Sequence, residues 1–163
     1  MSGFNINKNG CSLTGDFTLL EKLIKEFTDK GYVDVGVLGE QTTKDGASVA
    51  GYGAVHEFGN IEQNIPQRSF IKMPIELKQK EIEKEVSDKV FNFKDLKDFT
   101  VKKLLTVIGI ACEGVIQGAF DSSGFGTWEP IKKETAKRKK RSTAILIDDG
   151  TLRKSITSKV GGL

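Results

Sequence analysis

A histidine followed directly by a glutamate, His56-Glu57, opens the pattern by which zinc proteases place an imidazole ligand and a general base on one helix. That chemistry needs a second histidine four residues on, so that both imidazoles share a helix face. Position 60 is Asn60, and the chain has no other histidine. No metal site is expected on this pair, and His56 reads instead as part of a packed or subunit surface. A lone histidine with no acidic orienter or nucleophile at a marked spacing also argues against a Ser/His or Cys/His scheme.

Other residue groups invite chemistry and fall short of it. Gly51-Tyr52-Gly53 with Gly59 matches neither the dinucleotide fingerprint nor the phosphate-cradling loop, so these glycines read as backbone punctuation. Asp148-Asp149 ends an apolar run and could hold a divalent cation for phosphodiester cleavage. No further acid is placed beside the pair by motif, and Asp-Gly followed by Thr is an ordinary turn that can start a helix. Cys11 and Cys112 form no CxxC or Cys/His pattern; Cys112 lies in an apolar helical stretch, where a free thiol acts as a small hydrophobe.

Charge is the strongest pattern. Between 132 and 141, Lys132, Lys133, Lys137, Arg138, Lys139, Lys140 and Arg141 face one acid, Glu134, while the whole chain is only +3. The rest of the chain is therefore net negative, and the positive potential is focused rather than spread over a face as in a general nucleic-acid binder. The block could neutralise phosphates without reading sequence, or could be a solvated helix face. Trp128 and Phe125 are the only large aromatics near it, too few for a base-stacking platform.

These side chains must be positioned by a fold that 163 residues, 37% apolar and 29% charged, can build as one domain with a hydrophobic core. The longest apolar stretch, LLTVIGIAC at 104–112, is shorter than a membrane span, and no membrane partner is expected. The first residues lack the charged and apolar regions of a secretory signal, so the expected compartment is a cytoplasm, where a disulfide is not expected.

A helix capped by Ser12 or Thr14 is expected, with Phe17, Leu20, Leu23, Ile24 and Phe27 at helical spacing and Gly31 at its end. Residues 32–38 alternate as a strand, and 40–47 form a loop. Residues 49–58 are ambiguous, since glycines lower helix propensity while Val49, Tyr52 and Phe58 could line one helix side. Residues 68–72 look extended after Pro66, 74–90 read as an exposed amphipathic helix, and 95–119 as a long helix with a wide apolar face. Gly109, Gly114 and Gly118 within that helix suggest close backbone packing. Residues 122–126 are a loop, 132–141 a helical turn or mobile segment, 144–147 a short apolar run, and 155–160 a strand. The expected fold class is α+β: a small, mainly antiparallel sheet packed against one long and several shorter helices.

Two blocks of residues together carry a family resemblance. His56-Glu57-Phe58-Gly59 followed by Ile65-Pro66-Gln67-Arg68-Ser69-Phe70-Ile71 resembles the hEFG…iPxRxFl signature of the tailed-phage virion-morphogenesis and tail-completion family, which includes neck and minor tail components. Trp128-Glu129-Pro130-Ile131, Thr135, Lys139 and the run from Ile147 through Asp148-Asp149-Gly150-Thr151-Leu152-Arg153-Lys154-Ser155-Ile156 resemble the same family's WxPL…T…K…LIDTGxLRxSI segment. In many members the two blocks stand in the opposite order, as in a circular permutation, and Asp149 replaces the usual threonine.

The resemblance implies an α+β subunit without enzymatic activity or cofactor. It would assemble in a host cytoplasm into a ring, hexameric or dodecameric, at the head–tail junction of a virion. Implied partners are a connector or head-completion protein on one side and a tail terminator or tail tube protein on the other, with double-stranded DNA in the lumen. Implied subunit or partner contacts are His56, Glu57, Phe58, Pro66, Arg68, Phe70, Trp128, Pro130, Leu152, Arg153 and Ile156. Arg68 beside Phe70 offers a charged fork and an aromatic anchor of the kind enriched at interfaces, so Arg68→Glu is expected to lower assembly while leaving the monomer folded. The 132–141 cations would face the DNA channel or an acidic neighbour. The alternatives are a nucleic-acid-binding module using that block and a nuclease using Asp148 and Asp149.

Overall fold

Val33, Val35 and Val37 alternate with Tyr32, Asp34 and Gly36, and this period of two builds strand β3, Tyr32–Val37, with its β-branched side chains on one face. The strand pairs antiparallel with β4, Ile156–Gly161, in a register that sets Val33 against Val160, Val35 against Ser158 and Val37 against Ile156. On the outer face Asp34 stands opposite Lys159, a favourable cross-strand charge pair. A computed structural model describes residues 3–7, 10–14, 25, 31–43, 45–91, 100–139 and 144–162. Earlier in the chain β1, Gly3–Asn7, and β2, Gly10–Thr14, form an antiparallel hairpin. Of the helix expected after a cap at Ser12 or Thr14, residue 25 alone is among the described residues, and it is helical, while Ser12 is part of β2.

Between β3 and β4 the chain is mostly helical. The ambiguous segment is a helix, α1, Val49–Phe58, whose N-terminus is capped by Ser48, the side-chain oxygen accepting from Gly51 N at 3.1 Å. Then come α2, Lys72–Leu77, and α3, Gln79–Phe91, in place of the single helix expected over 74–90. Lys78 leaves helical geometry between them, with φ −105° and ψ 16°. Met73 packs on the cluster around Phe70, Ile82 and Val86 on a second cluster with Ala111 and Cys112, and Ile75 reaches both.

The long helix α4, Val101–Asp121, starts at Thr100, whose side chain accepts from Lys103 N at 3.2 Å. Residues 95–99, where this helix was expected to begin, lie outside the described residues. By length and composition alone α4 could cross a bilayer, but here its buried side, including Leu105, Ala111 and Ile116, packs on the sheet and on α2 and α3. Of its glycines, Gly109 is the one the packing requires. A Cβ there would stand 2.5 Å from Ser158 Oγ and 3.1 Å from Val33 Cγ2, so the bare backbone lets the helix lie directly on both strands. Gly114 has open space around it. Two short helices follow, α5, Lys133–Arg138, and α6, Thr151–Lys154.

The result is the expected α+β architecture, with a small antiparallel sheet on one long and several shorter helices. Its main core gathers Val49, Phe70, Ile116, Phe120, Trp128, Leu146, Leu152 and Ile156. Phe120 sits between Phe70, at 5.5 Å, and Trp128, at 5.7 Å edge-to-face. Burying aliphatic or aromatic side chains of this kind is worth about 1.5–3 kcal/mol each. Cys112 is a free, buried thiol, and burial pushes its pKa up, as suits a packing residue.

Candidate functional site

Glu57, at the end of α1, is 6% exposed and has both carboxylate oxygens filled. Oε1 accepts from Ser69 Oγ at 2.7 Å and Lys72 N at 3.1 Å, while Oε2 accepts from Phe70 N at 2.7 Å and Ile71 N at 2.9 Å. A carboxylate thus closes the start of α2, where free amides and the helix dipole favour negative charge. Ser69 extends the knot, its Oγ accepting from Met73 N at 2.9 Å. Gly59 allows the fold-back that brings 67–72 alongside α1: it has φ 75°, and a Cβ there would stand 2.9 Å from Gln67 N.

The same segment grips the second motif block. Trp128 Nε1 donates to the carbonyl of Ser69 at 3.0 Å, Arg68 Nε to that of Glu129 at 2.9 Å, and Arg68 Nη2 to that of Pro130 at 3.3 Å. Arg68 is 7% exposed, and burial lowers its pKa, with Glu129 opposing. The two blocks, some sixty residues apart, are one hydrogen-bonded unit.

Much of the expected contact surface lies inside the chain's own fold. Glu57, Arg68, Phe70, Trp128, Leu152 and Ile156 are buried in the chain's own fold, because each fills a core position or satisfies backbone groups that would otherwise be stranded. Arg153 is half-buried and tied to α4, with Nε on Gln117 Oε1 at 2.7 Å and Nη2 on Asp121 Oδ2 at 2.8 Å. Pro66 and Pro130 line a small cleft, and Phe58 remains open, 75% exposed. Beside it is Ile61, 99% exposed at the tip of a turn closed by reciprocal Asn60 and Ile65 backbone bonds. Nothing in the sequence marked Ile61, since an isolated apolar residue in a polar stretch has no periodicity. Ser69, quoted within the first motif block, was given no role there, because two of its partners, Glu57 and Trp128, are distant in sequence.

His56 lies on the wall of that cleft, its ring 4.5 Å from Tyr52 and edge-on to it. Burial, then the charges of Arg68 and Lys139, lower its pKa to about 4, so the ring is neutral at physiological pH. Its Nδ1 is buried without a hydrogen-bond partner among the described residues. No three His, Cys, Asp or Glu side chains come together among those residues as a metal site requires.

The basic block divides. Lys132, Lys133, Lys137 and Arg138 are exposed on or beside α5. Lys139 turns inward, its Nζ donating to the carbonyls of Ala144 and, at 2.7 Å, Ile147, and burial lowers its pKa. It organises the 144–147 run, which is a turn with Leu146 at φ 57° rather than a strand. Lys140 and Arg141 lie outside the described residues. Asp148 and Asp149 border a wider groove of about 670 Å³ that Arg138 also lines, and Asp149 Oδ1 accepts from Thr151 N at 2.9 Å at the start of α6. The acidic pair is thus partly engaged in shaping a turn.

No protein-family model, curated protein or solved structure matches the chain. The resemblance of the two motif blocks rests on their residues alone.

Proposed function

We propose that this chain is a structural subunit of a tailed phage or prophage virion, assembling as a ring at the head–tail junction, where it joins connector to tail around the DNA channel. The observation that carries the reading is the mutual docking of the two blocks that resemble the tail-completion family, through Trp128 on Ser69 and Arg68 on Glu129 and Pro130. Residue types that are individually degenerate acquire a shared purpose, which is to lock one scaffold.

On this reading the chain catalyses nothing and needs no cofactor. Phe58 and Ile61 offer exposed apolar contacts for a neighbouring subunit or tail protein. Lys132, Lys133, Lys137 and Arg138 supply a positive rim for the channel or for an acidic partner. Labelling the subunit and imaging purified particles by electron microscopy tests the proposal. Density at the neck or tail end is expected, and a location elsewhere, or absence from the particle, would sink it.

The nucleic-acid reading keeps support from the exposed cations of α5. Replacing the 132–141 block with Ser/Gly should remove several units of log–log salt slope from DNA binding if phosphates are its target.

A further inference from the structure

The cleft walled by His56, Pro66 and Arg68 on one side and by Pro130 and Lys132 on the other has a volume of about 170 Å³. That is the liquid volume of about six waters and well below the ~300 Å³ at which drug-sized pockets begin, so it suits a ligand of side-chain size. Its chemistry is one-sided. Arg68, 7% exposed as a residue, donates to two carbonyls, and the carboxylate that acts on its charge, Glu129, makes no hydrogen bond to it among the described residues. Those carbonyls use Nε and one Nη2 hydrogen, so the end-on edge of the guanidinium fork has no protein acceptor there. Lys132 and Thr135 add donors to the lining, and His56 adds a buried Nδ1 with no partner among the described residues.

The planar fork of arginine matches a carboxylate, and an acid accepted on the open edge of Arg68 would add charge-assisted hydrogen bonds that Glu129 does not make. We propose that this cleft is a carboxylate-binding site, in which Arg68 and Lys132 hold an acid carried on a short aliphatic stem, either a glutamate side chain or a small free acid. The apolar walls from Pro66 and Pro130 receive the stem. Glu129 also lines the cleft and is the one acid among its described lining residues, so a singly charged carboxylate is favoured over a dianionic phosphate, which it would repel more strongly. The site does not depend on the ring assignment, and its ligand can be sought on the isolated chain.

His56 is the only histidine, so its ring resonances report on the cleft without ambiguity. The full chain is titrated with propionate, with propionamide as the neutral isostere, and with chloride at matched ionic strength. Propionate alone should shift the His56 signals saturably and raise the pH at which they titrate, because an adjacent carboxylate favours imidazolium. Lys132→Glu, at an exposed position, should weaken the effect several-fold while leaving the rest of the spectrum in place. A capped Gly-Glu-Gly peptide separates the sources: saturation of the same signals identifies a glutamate side chain, and response to propionate alone identifies a free acid. No saturable shift, an equal shift with propionamide, or undiminished binding in Lys132→Glu would each overturn the assignment.

Discussion

The indole N–H of Trp128 reaches the carbonyl of Ser69 at 3.0 Å, across 59 positions of sequence, and joins the loop after the long helix to the segment that starts α2. Around that bond Glu57 and Arg68 satisfy backbone groups on either side, so three polar side chains hold what the aromatic core of Phe70, Phe120 and Trp128 fills.

Glu57 is the member whose loss strands the most partners. Glu57→Ala leaves the amides of Phe70, Ile71 and Lys72 without an acceptor, and a loss of about 3 kcal/mol in unfolding free energy is expected. Glu57→Gln keeps the shape but turns an NH₂ toward those donors, so it should recover only part of the loss. Urea denaturation of the three proteins provides the comparison, and an Ala variant as stable as the parent would contradict the cap.

For Arg68→Glu, burial reverses the expectation drawn from sequence. The substitution sets a carboxylate against the carbonyls of Glu129 and Pro130, and it should destabilise the monomer itself by about 3 kcal/mol or more. A thermal melt equal to that of the parent would restore the view that Arg68 serves only assembly.

Two glycines of α4 should respond in opposite ways. Gly109→Ala gains helix propensity of up to about 1 kcal/mol but drives its Cβ into Ser158 and Val33, with a net loss of about 1–3 kcal/mol. Gly114→Ala meets nothing within 4 Å and should stabilise by up to about 1 kcal/mol. Chemical denaturation of the pair reads the difference, and the same sign for both would refute the close helix–sheet contact.

His56 makes stability depend on pH. Its pKa falls from 6.5 to about 4 on folding, so between those values the unfolded chain binds the extra proton. Stability from this group is full above pH 6.5 and declines as the pH falls toward about 4, below which its contribution levels off. His56→Asn should flatten that part of the melting-temperature profile relative to the parent. Parallel profiles would show that the ring is not held neutral.

Phe58 and Ile61 separate assembly from folding. Because both side chains are largely solvent-exposed in the monomer, Phe58→Asp with Ile61→Asp should change its stability by less than about 0.5 kcal/mol. If they form the subunit contact, native mass spectrometry should show loss of the oligomer. An oligomer of unchanged mass would move the contact elsewhere.

The parts of the fold legible in the sequence were those with strong local periodicity. The valine alternation of β3, the apolar face of α4 and the strand following Ser155 needed no tertiary information, because burial of one face leaves a period of 2 or 3.6 in the chain. Segment 49–58 stayed ambiguous because its glycines oppose the helix, and packing of Val49 and Gly53 against the core decides it. Gly53 is close to Leu152 and Phe70, contacts no local pattern encodes.

The candidate site was legible as residue types and not as roles. Motif spacing singled out Glu57, Arg68, Phe70 and Trp128 and suggested a surface, yet all four are buried. Exposure depends on what folds over a residue from far along the chain, and a hydrogen bond between Trp128 and Ser69 leaves no trace in either one's neighbours.

By itself the sequence determined the α+β class, the segments of β3, β4 and the long helix but not the β1–β2 hairpin, the focused positive charge and the two motif blocks, all of which follow from periodicity, composition and order. Only the tertiary structure decided that the blocks lock together, that Lys139 turns inward while its neighbours stay exposed, and that Arg68 and His56 wall a cleft. Those outcomes depend on which distant backbone carbonyls need donors, and that is settled when the core closes.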